Sequence, residues 1–152
     1  MGRALSKDLV SDLLDEGEDA VSHSGRIVMV PVLTGALVFT ADLIREMPLK
    51  LSMDMVSVSS YPGTTTESKG AALKGAIPKD LDGKHVVVID DILDSGRTMK
   101  LVTDVISEQS PASVRSCVLL NKPSRRVVDY TADYVGFDIP DAFVVGYGLD
   151  YD

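Results

Sequence analysis

"HVVVIDDILDSGRTMKLV", residues 85–102, is the stretch on which the fold turns. Val86, Val87, Val88 and Ile89 are apolar in succession, then Asp90 and Asp91 stand side by side, with Asp94 close behind. A strand that is apolar at every position, and not only at alternate ones, fits a sheet covered on both faces, as in parallel sheets between helical layers. Ligands of such sheets sit beyond the carboxyl ends of the strands, which is where these acids stand. Neighbouring side chains on a strand point to opposite faces, so Asp90 and Asp91 are expected to share a ligand where the chain is already turning. Carboxylates there can accept from neighbouring hydroxyls, as on a ribose, or hold a divalent cation through oxygen.

The next residues carry the opposite chemistry. Gly96 permits a tight turn, and the amides of Ser95, Gly96, Arg97 and Thr98 fall at the start of a helical pattern. Unpaired N–H groups and the helix dipole favour an anion at such a place. Ser95 and Thr98 add hydroxyls and Arg97 a charge. A site for hydroxyls or a metal thus lies beside a site for phosphate, and a phosphorylated sugar has both features. Asp94 or Ser95 as a plain helix cap would leave the acid pair unexplained. A receiver-type Mg²⁺ pair is expected on the first strand, not after two strands and a long loop.

Outward from this stretch, strand and helix patterns alternate. Leu5, Leu9, Leu13 and Val21 predict an amphipathic helix over 5–21. "RIVMVPVL" (26–33) predicts a strand, "ALVFTADLIREM" (36–47) a helix stopping before Pro48, and "KLSMDMVSVSS" (50–60) a second strand. The buried strand at 85–90 is followed by a helix over 95–109, with Met99, Val102, Val105 and Ile106 on one face, and by strands over 112–120, 133–137 and 142–147. The pattern predicts one α/β domain over 1–152, an open, mainly parallel twisted sheet with helices on both faces. "SYPGTTTESKGAALKGA" (60–76) is rich in Gly, Thr and Ser; a loop this long inside a compact domain predicts a mobile lid.

Composition bounds the partners. The net charge of −8 argues against duplex nucleic acid, which wants a basic face. No apolar run is of bilayer length, and the first residues, alternating charge with Leu and Val, lack a secretory core. Cys117, the single cysteine, is expected as a small buried hydrophobe in a reducing cytoplasm. His23 and His85 are expected to be structural or surface residues.

"VVVIDDILDSGRTM" (86–99) closely resembles the phosphoribosyl-pyrophosphate signature of type I phosphoribosyltransferases. "LLNKPSRRVVDYTADYVGFDIPDAFVVGYGLDYD" (119–152) resembles the purine-binding half of the hypoxanthine-guanine phosphoribosyltransferases, "VSSY" (58–61) the start of their flexible loop, and "VLTGALVFTADLIREM" (32–47) their pyrophosphate loop and following helix. The resemblance implies transfer of a ribose phosphate from phosphoribosyl pyrophosphate to hypoxanthine, guanine or xanthine, with Mg²⁺, in purine salvage, by a homodimer or homotetramer. It implies that Asp90 and Asp91 hold the ribose hydroxyls, that Asp94 is the general base, and that Ser95, Gly96, Arg97 and Thr98 cradle the 5′-phosphate. It implies Lys122 on the 6-oxo group, Phe143 stacked on the purine, Val144 on the base edge, and Asp150 near Mg²⁺. Thr34, Gly35, Ser60 and Tyr61 would meet the pyrophosphate.

Two departures from the family pattern follow. Thr34 stands where Lys or Arg is usual, which removes a positive charge, and the chain stops at Asp152, before a further arginine. With a short N-terminal arm as well, the hood over the base is expected to be reduced, and Arg126, or Arg45 with less reason, would compensate. An alternative expectation is a weakly active or inactive nucleotide-binding regulator on the same fold. A third is an RNA-binding regulator, which the acidic charge disfavours.

Overall fold

A computed structural model describes residues 2–14, 26–60 and 71–140. In chain order the elements are α1 (Gly2–Leu14), β1 (Ile27–Leu33), α2 (Leu37–Arg45), β2 (Ser52–Met53), β3 (Val56–Ser60) and β4 (Ala71–Lys74). They continue with β5 (His85–Leu93), α3 (Arg97–Ser107), β6 (Ser113–Asn121), a 3-10 turn at Pro123–Arg125, and β7 (Tyr134–Asp138). The strands form one seven-stranded sheet in the order β4-β3-β1-β5-β6-β7, with β2 also beside β1. Every pairing is parallel except β3 with β4.

The apolar run of β5 is explained by alternation across a doubly covered sheet. Val87 and Ile89 join Ile27, Met29, Cys117 and Leu119 in a core closed by Leu5, Leu9 and Leu13 of α1 and Phe39 and Leu43 of α2. Val86 and Val88 join Val28, Val30 and Val118 in the opposite core, closed by Met99, Val102 and Ile106 of α3. Each such large side chain contributes roughly 1.5–3 kcal/mol by leaving water. Cys117 is fully buried, as expected, and burial pushes its thiol up to about 12. His85 is buried too, its Nδ1 2.8 Å from Ser113 Oγ.

Three sequence expectations need correction. The single strand over 50–60 is two, because β2 pairs with β1 at Val28 and Met29 and β3 takes over at Val32 and Leu33. Pro31, which has no N–H to give, falls in the gap between them. Second, the irregular stretch over 60–76 contains β4, antiparallel to β3 with Ser60 opposite Ala71; residues 61–70 lie outside the described residues. Third, β5 does not end at the acids but runs on to Leu93. The predicted continuation of the first helix to residue 21 and the strand over 142–147 also lie outside the described residues.

Candidate active site

The chain leaves β1 through α2 and builds the sheet outward through β2, β3 and β4; it leaves β5 through α3 and builds the other way through β6 and β7. The two helices cover opposite faces. The direction of winding therefore reverses between β1 and β5, and the crevice at such a switch point is where open α/β sheets bind ligands. The loops that open on it are Thr34–Ala36, after β1, and Asp94–Gly96, after β5.

Register shapes the crevice floor. β1 accompanies β5 only to Pro31 opposite Ile89. β6 stays with β5 further, through Asp90 opposite Val118 to Leu93 opposite Asn121. From Asp90 onward β5 has lost its neighbour on one side while remaining a strand. The acids are thus presented by an unzipped strand edge, and not by a turn as the sequence suggested. Alternation sends Asp91 toward the face of α2, where it lies directly against Gly35: a Cβ on Gly35 would fall 2.7 Å from Asp91 Cγ. Gly35 is needed here for the space and not for its backbone angles.

Each acid accepts a hydrogen bond on Oδ1 from the amide of the residue that follows it. Asp91 N donates to Asp90 at 2.8 Å, Ile92 N to Asp91 at 2.7 Å, and Ser95 N to Asp94 at 2.7 Å. Asp90 and Asp91 are both buried. Burial, above all, together with the bonding and charge of Asp91 and the charge of Asp94, holds the Asp90 carboxyl well above the usual carboxylate range; the Asp91 amide offsets this only in part. More negative charge is gathered here than a dry site holds comfortably. A cation or a set of hydroxyl donors would relieve it. Among the described residues no group of three or more His, Cys, Asp or Glu side chains is placed to hold a metal ion.

The turn at Ser95–Gly96 starts α3 later than predicted. Gly96, at φ +87°, caps the helix, and Arg97 is its first residue. Ser95 Oγ accepts from Arg97 N at 3.3 Å. The carbonyl of Ser95 accepts from the amides of Val127 and Val128, at 2.9 and 3.1 Å. In a planar trans peptide the N–H points opposite to the C=O, so the Gly96 amide is turned away from residues 127 and 128. A Cβ on Gly96 would meet Val128 Cγ2 at 3.0 Å and Arg126 Cδ at 3.1 Å, so glycine is required both by φ and by this close packing.

The segment after β6 forms the wall behind the turn. Lys122 is buried, and its amide donates to the Leu93 carbonyl at 2.8 Å. Lys122 is thus not a solvated loop lysine. Arg126, expected near the pyrophosphate, is engaged elsewhere: Nη1 donates to the carbonyls of Asp94, at 2.8 Å, and Leu93, at 3.3 Å, and Nη2 to Asn121 Oδ1. Arg45 pairs with Asp42 on the exposed side of α2. Thr34 is exposed just after β1 and follows a cis peptide at Leu33–Thr34. Tyr61, Phe143, Val144 and Asp150 lie outside the described residues, and Ser60 is described only as the last residue of β3. Asn121 was missed by sequence reasoning; a polar residue closing an otherwise buried strand next to Lys122 was the available signal.

The family model described as "Phosphoribosyl transferase domain" matches residues 3–152. The chain belongs to that family. Among curated relatives of this phosphoribosyltransferase, the hypoxanthine-guanine phosphoribosyltransferase of Aquifex aeolicus is 41% identical over 145 residues, 95% of this chain and 82% of the relative. The hypoxanthine phosphoribosyltransferase of Escherichia coli K12 is 37% identical over 147 residues, 97% of this chain and 79% of the relative. Among solved structures, a hypoxanthine-guanine phosphoribosyltransferase of Bacillus anthracis superposes with a TM-score of 0.81 at 39% identity, covering 99% of this chain and 85% of that one. A Trypanosoma cruzi hypoxanthine phosphoribosyltransferase gives 0.88 at 34% identity, covering 99% and 81%. The mostly parallel sheet with its helices is the type I phosphoribosyltransferase fold.

Proposed function

We propose that this phosphoribosyltransferase transfers the 5-phosphoribosyl group of phosphoribosyl pyrophosphate to hypoxanthine, guanine or xanthine, releasing a purine nucleoside monophosphate and pyrophosphate, in purine salvage. The observation that carries the reading is the grouping at one strand end. Asp90 and Asp91 line an unzipped edge, Asp94 and the Ser95–Thr98 turn follow at once, and the buried Lys122 is tied to the same edge through Leu93.

In this reading the bond from C1′ to the pyrophosphate oxygen breaks, a bond from a base ring nitrogen to C1′ forms, and the proton lost from the imidazole ring of the base passes to the Asp94 carboxylate. Asp90 and Asp91 accept from the ribose hydroxyls and so fix C1′ for attack. The 95–98 amides, the Ser95 and Thr98 hydroxyls and Arg97 hold the 5′-phosphate. Lys122 donates to the 6-oxo group, where a 6-amino group would offer another donor. Phe143 and Val144 hold the base. Gly35 and Thr34, with Ser60 and Tyr61, border the pyrophosphate. Asp150 would approach a Mg²⁺ ion held largely through substrate oxygens and water, as this ion prefers. The charge crowding at Asp90 suits such an ion. When bound, Mg²⁺ would neutralise charge on the departing pyrophosphate.

The relatives carry enzyme names, so the idea of an inactive nucleotide-binding regulator draws no support from them. The protein is read as a cytoplasmic homodimer or homotetramer, in keeping with its single buried thiol and the exposed Leu37 and Val38 of α2. Purified protein given phosphoribosyl pyrophosphate, Mg²⁺ and each base in turn is expected to form the monophosphate. No turnover with any of the three bases would overturn the reading.

A further inference from the structure

We propose that Arg126 is a positioning residue for Asp94. It grips the peptide between Asp94 and Ser95 by its carbonyl and so aims the amide that holds the Asp94 carboxylate. Arg126 Nη1 donates to Asp94 O at 2.8 Å, and the amide of the same peptide, Ser95 N, donates to Asp94 Oδ1 at 2.7 Å. Carbonyl and N–H are antiparallel across a planar peptide. Rotation of that plane would therefore break both bonds, and with the carbonyl clamped the carboxylate has a fixed donor.

The clamp is itself anchored. Arg126 Nη2 donates to Asn121 Oδ1, and Asn121 Nδ2 donates to Asp138 Oδ1 at 2.8 Å, which joins the guanidinium to the ends of β6 and β7. Nη1 also reaches the Leu93 carbonyl, which accepts the Lys122 amide. Asp94 and Lys122, the base's two proposed polar partners, are thus set by one guanidinium. A flat fork with several donors can serve such divergent acceptors together, whereas the single ammonium of lysine cannot keep that geometry. A carboxylate displaced by an ångström loses alignment with the proton it must take, and the loss falls on the chemical step.

The inference rests on the reading of Asp94 as general base. Its test compares wild type, Arg126→Ala, Arg126→Lys and, as a charge control on the same turn, Arg125→Ala, with kcat, the KM for phosphoribosyl pyrophosphate, nucleoside monophosphate affinity and Tm recorded for each. Arg126→Ala is expected to lose about 30-fold or more in kcat, with KM and nucleotide affinity within about threefold. Millimolar ethylguanidinium should restore part of that kcat, Arg126→Lys should not, and Arg125→Ala should keep wild-type kcat. If Arg126→Ala does not fold, Arg126→Lys carries the test alone. Unchanged kcat in a folded Arg126 variant overturns the proposal, and so does a raised KM with kcat intact, which would return Arg126 to the pyrophosphate. Equal loss in Arg125→Ala also overturns it. An inactive wild type would overturn the proposed reaction instead, so the two failures are distinguishable.

Discussion

Asp90 and Asp94 belong to one strand end, yet they call for different experiments. Asp94 is half-buried and tied to its own following amide; as an asparagine it would keep that bond and lose its capacity to take a proton. Asp94→Asn is expected to lower kcat by about 10²-fold or more while nucleoside monophosphate binding changes little, as read by steady-state kinetics beside calorimetry. Equal loss of both would contradict a role as base. Asp90 is instead a liability to the fold. Its folded carboxyl holds a proton more tightly than the unfolded chain does. The folded state is therefore favoured below the ordinary carboxylate range, and stability is lost as pH rises through the raised value. Asp90→Asn removes this dependence. It is expected to raise Tm at pH 8 by about 3 °C, for roughly 1 kcal/mol, with a smaller gain at pH 4, and to lower activity. Thermal melts at the two pH values read it. A gain that did not grow with pH would count against Asp90 as the strained group.

At the scale of elements, α1 is tied to the far strand by a polar contact. Tyr134, at the start of β7, donates its hydroxyl to Asp12 of α1. Burial chiefly, and then that partnership, push the phenol up from its usual value, so it remains a donor through neutral pH. Tyr134→Phe is expected to cost about 1.5–3 kcal/mol, the usual range for a bond to a charged group, in urea unfolding. The contact joins residues far apart in the chain, and nothing local announces it. The strands were legible because double burial writes itself as unbroken apolar runs, as in Val86–Ile89 and the 117–120 segment. β4 was not, because "AALK" is short and has no β-branched residue. The true end of β5 was hidden for a different reason. Carboxylates look like the end of a buried strand, but continued pairing with β6 keeps the acids in the sheet. The candidate site was legible where its residues stand together in the sequence, as with Asp90, Asp91, Asp94 and the Ser95–Thr98 turn. It was illegible for Arg126 and Asn121, whose roles come from acceptors on other elements.

For the whole molecule, the candidate site lies where two oppositely wound halves part. The α2 half contributes Gly35, and the α3 half contributes the acids and the Ser95–Thr98 turn. An acidic protein with a net charge of −8 can still hold an anion through a local nest of amides. The early parting of β1 from β5 also divides the central strand by how it should exchange with solvent deuterium. Residues 85–89 are flanked on both sides by paired strands, whereas 90–93 lean on β6 alone. In hydrogen–deuterium exchange of the ligand-free protein, the first part is expected to open only with global unfolding, and the second through cheaper local openings. Nucleoside monophosphate should slow exchange over 90–98 far more than over 85–89. The strand that supports both cores would then be rigid at one end and adjustable at the other, with the change falling at Asp90.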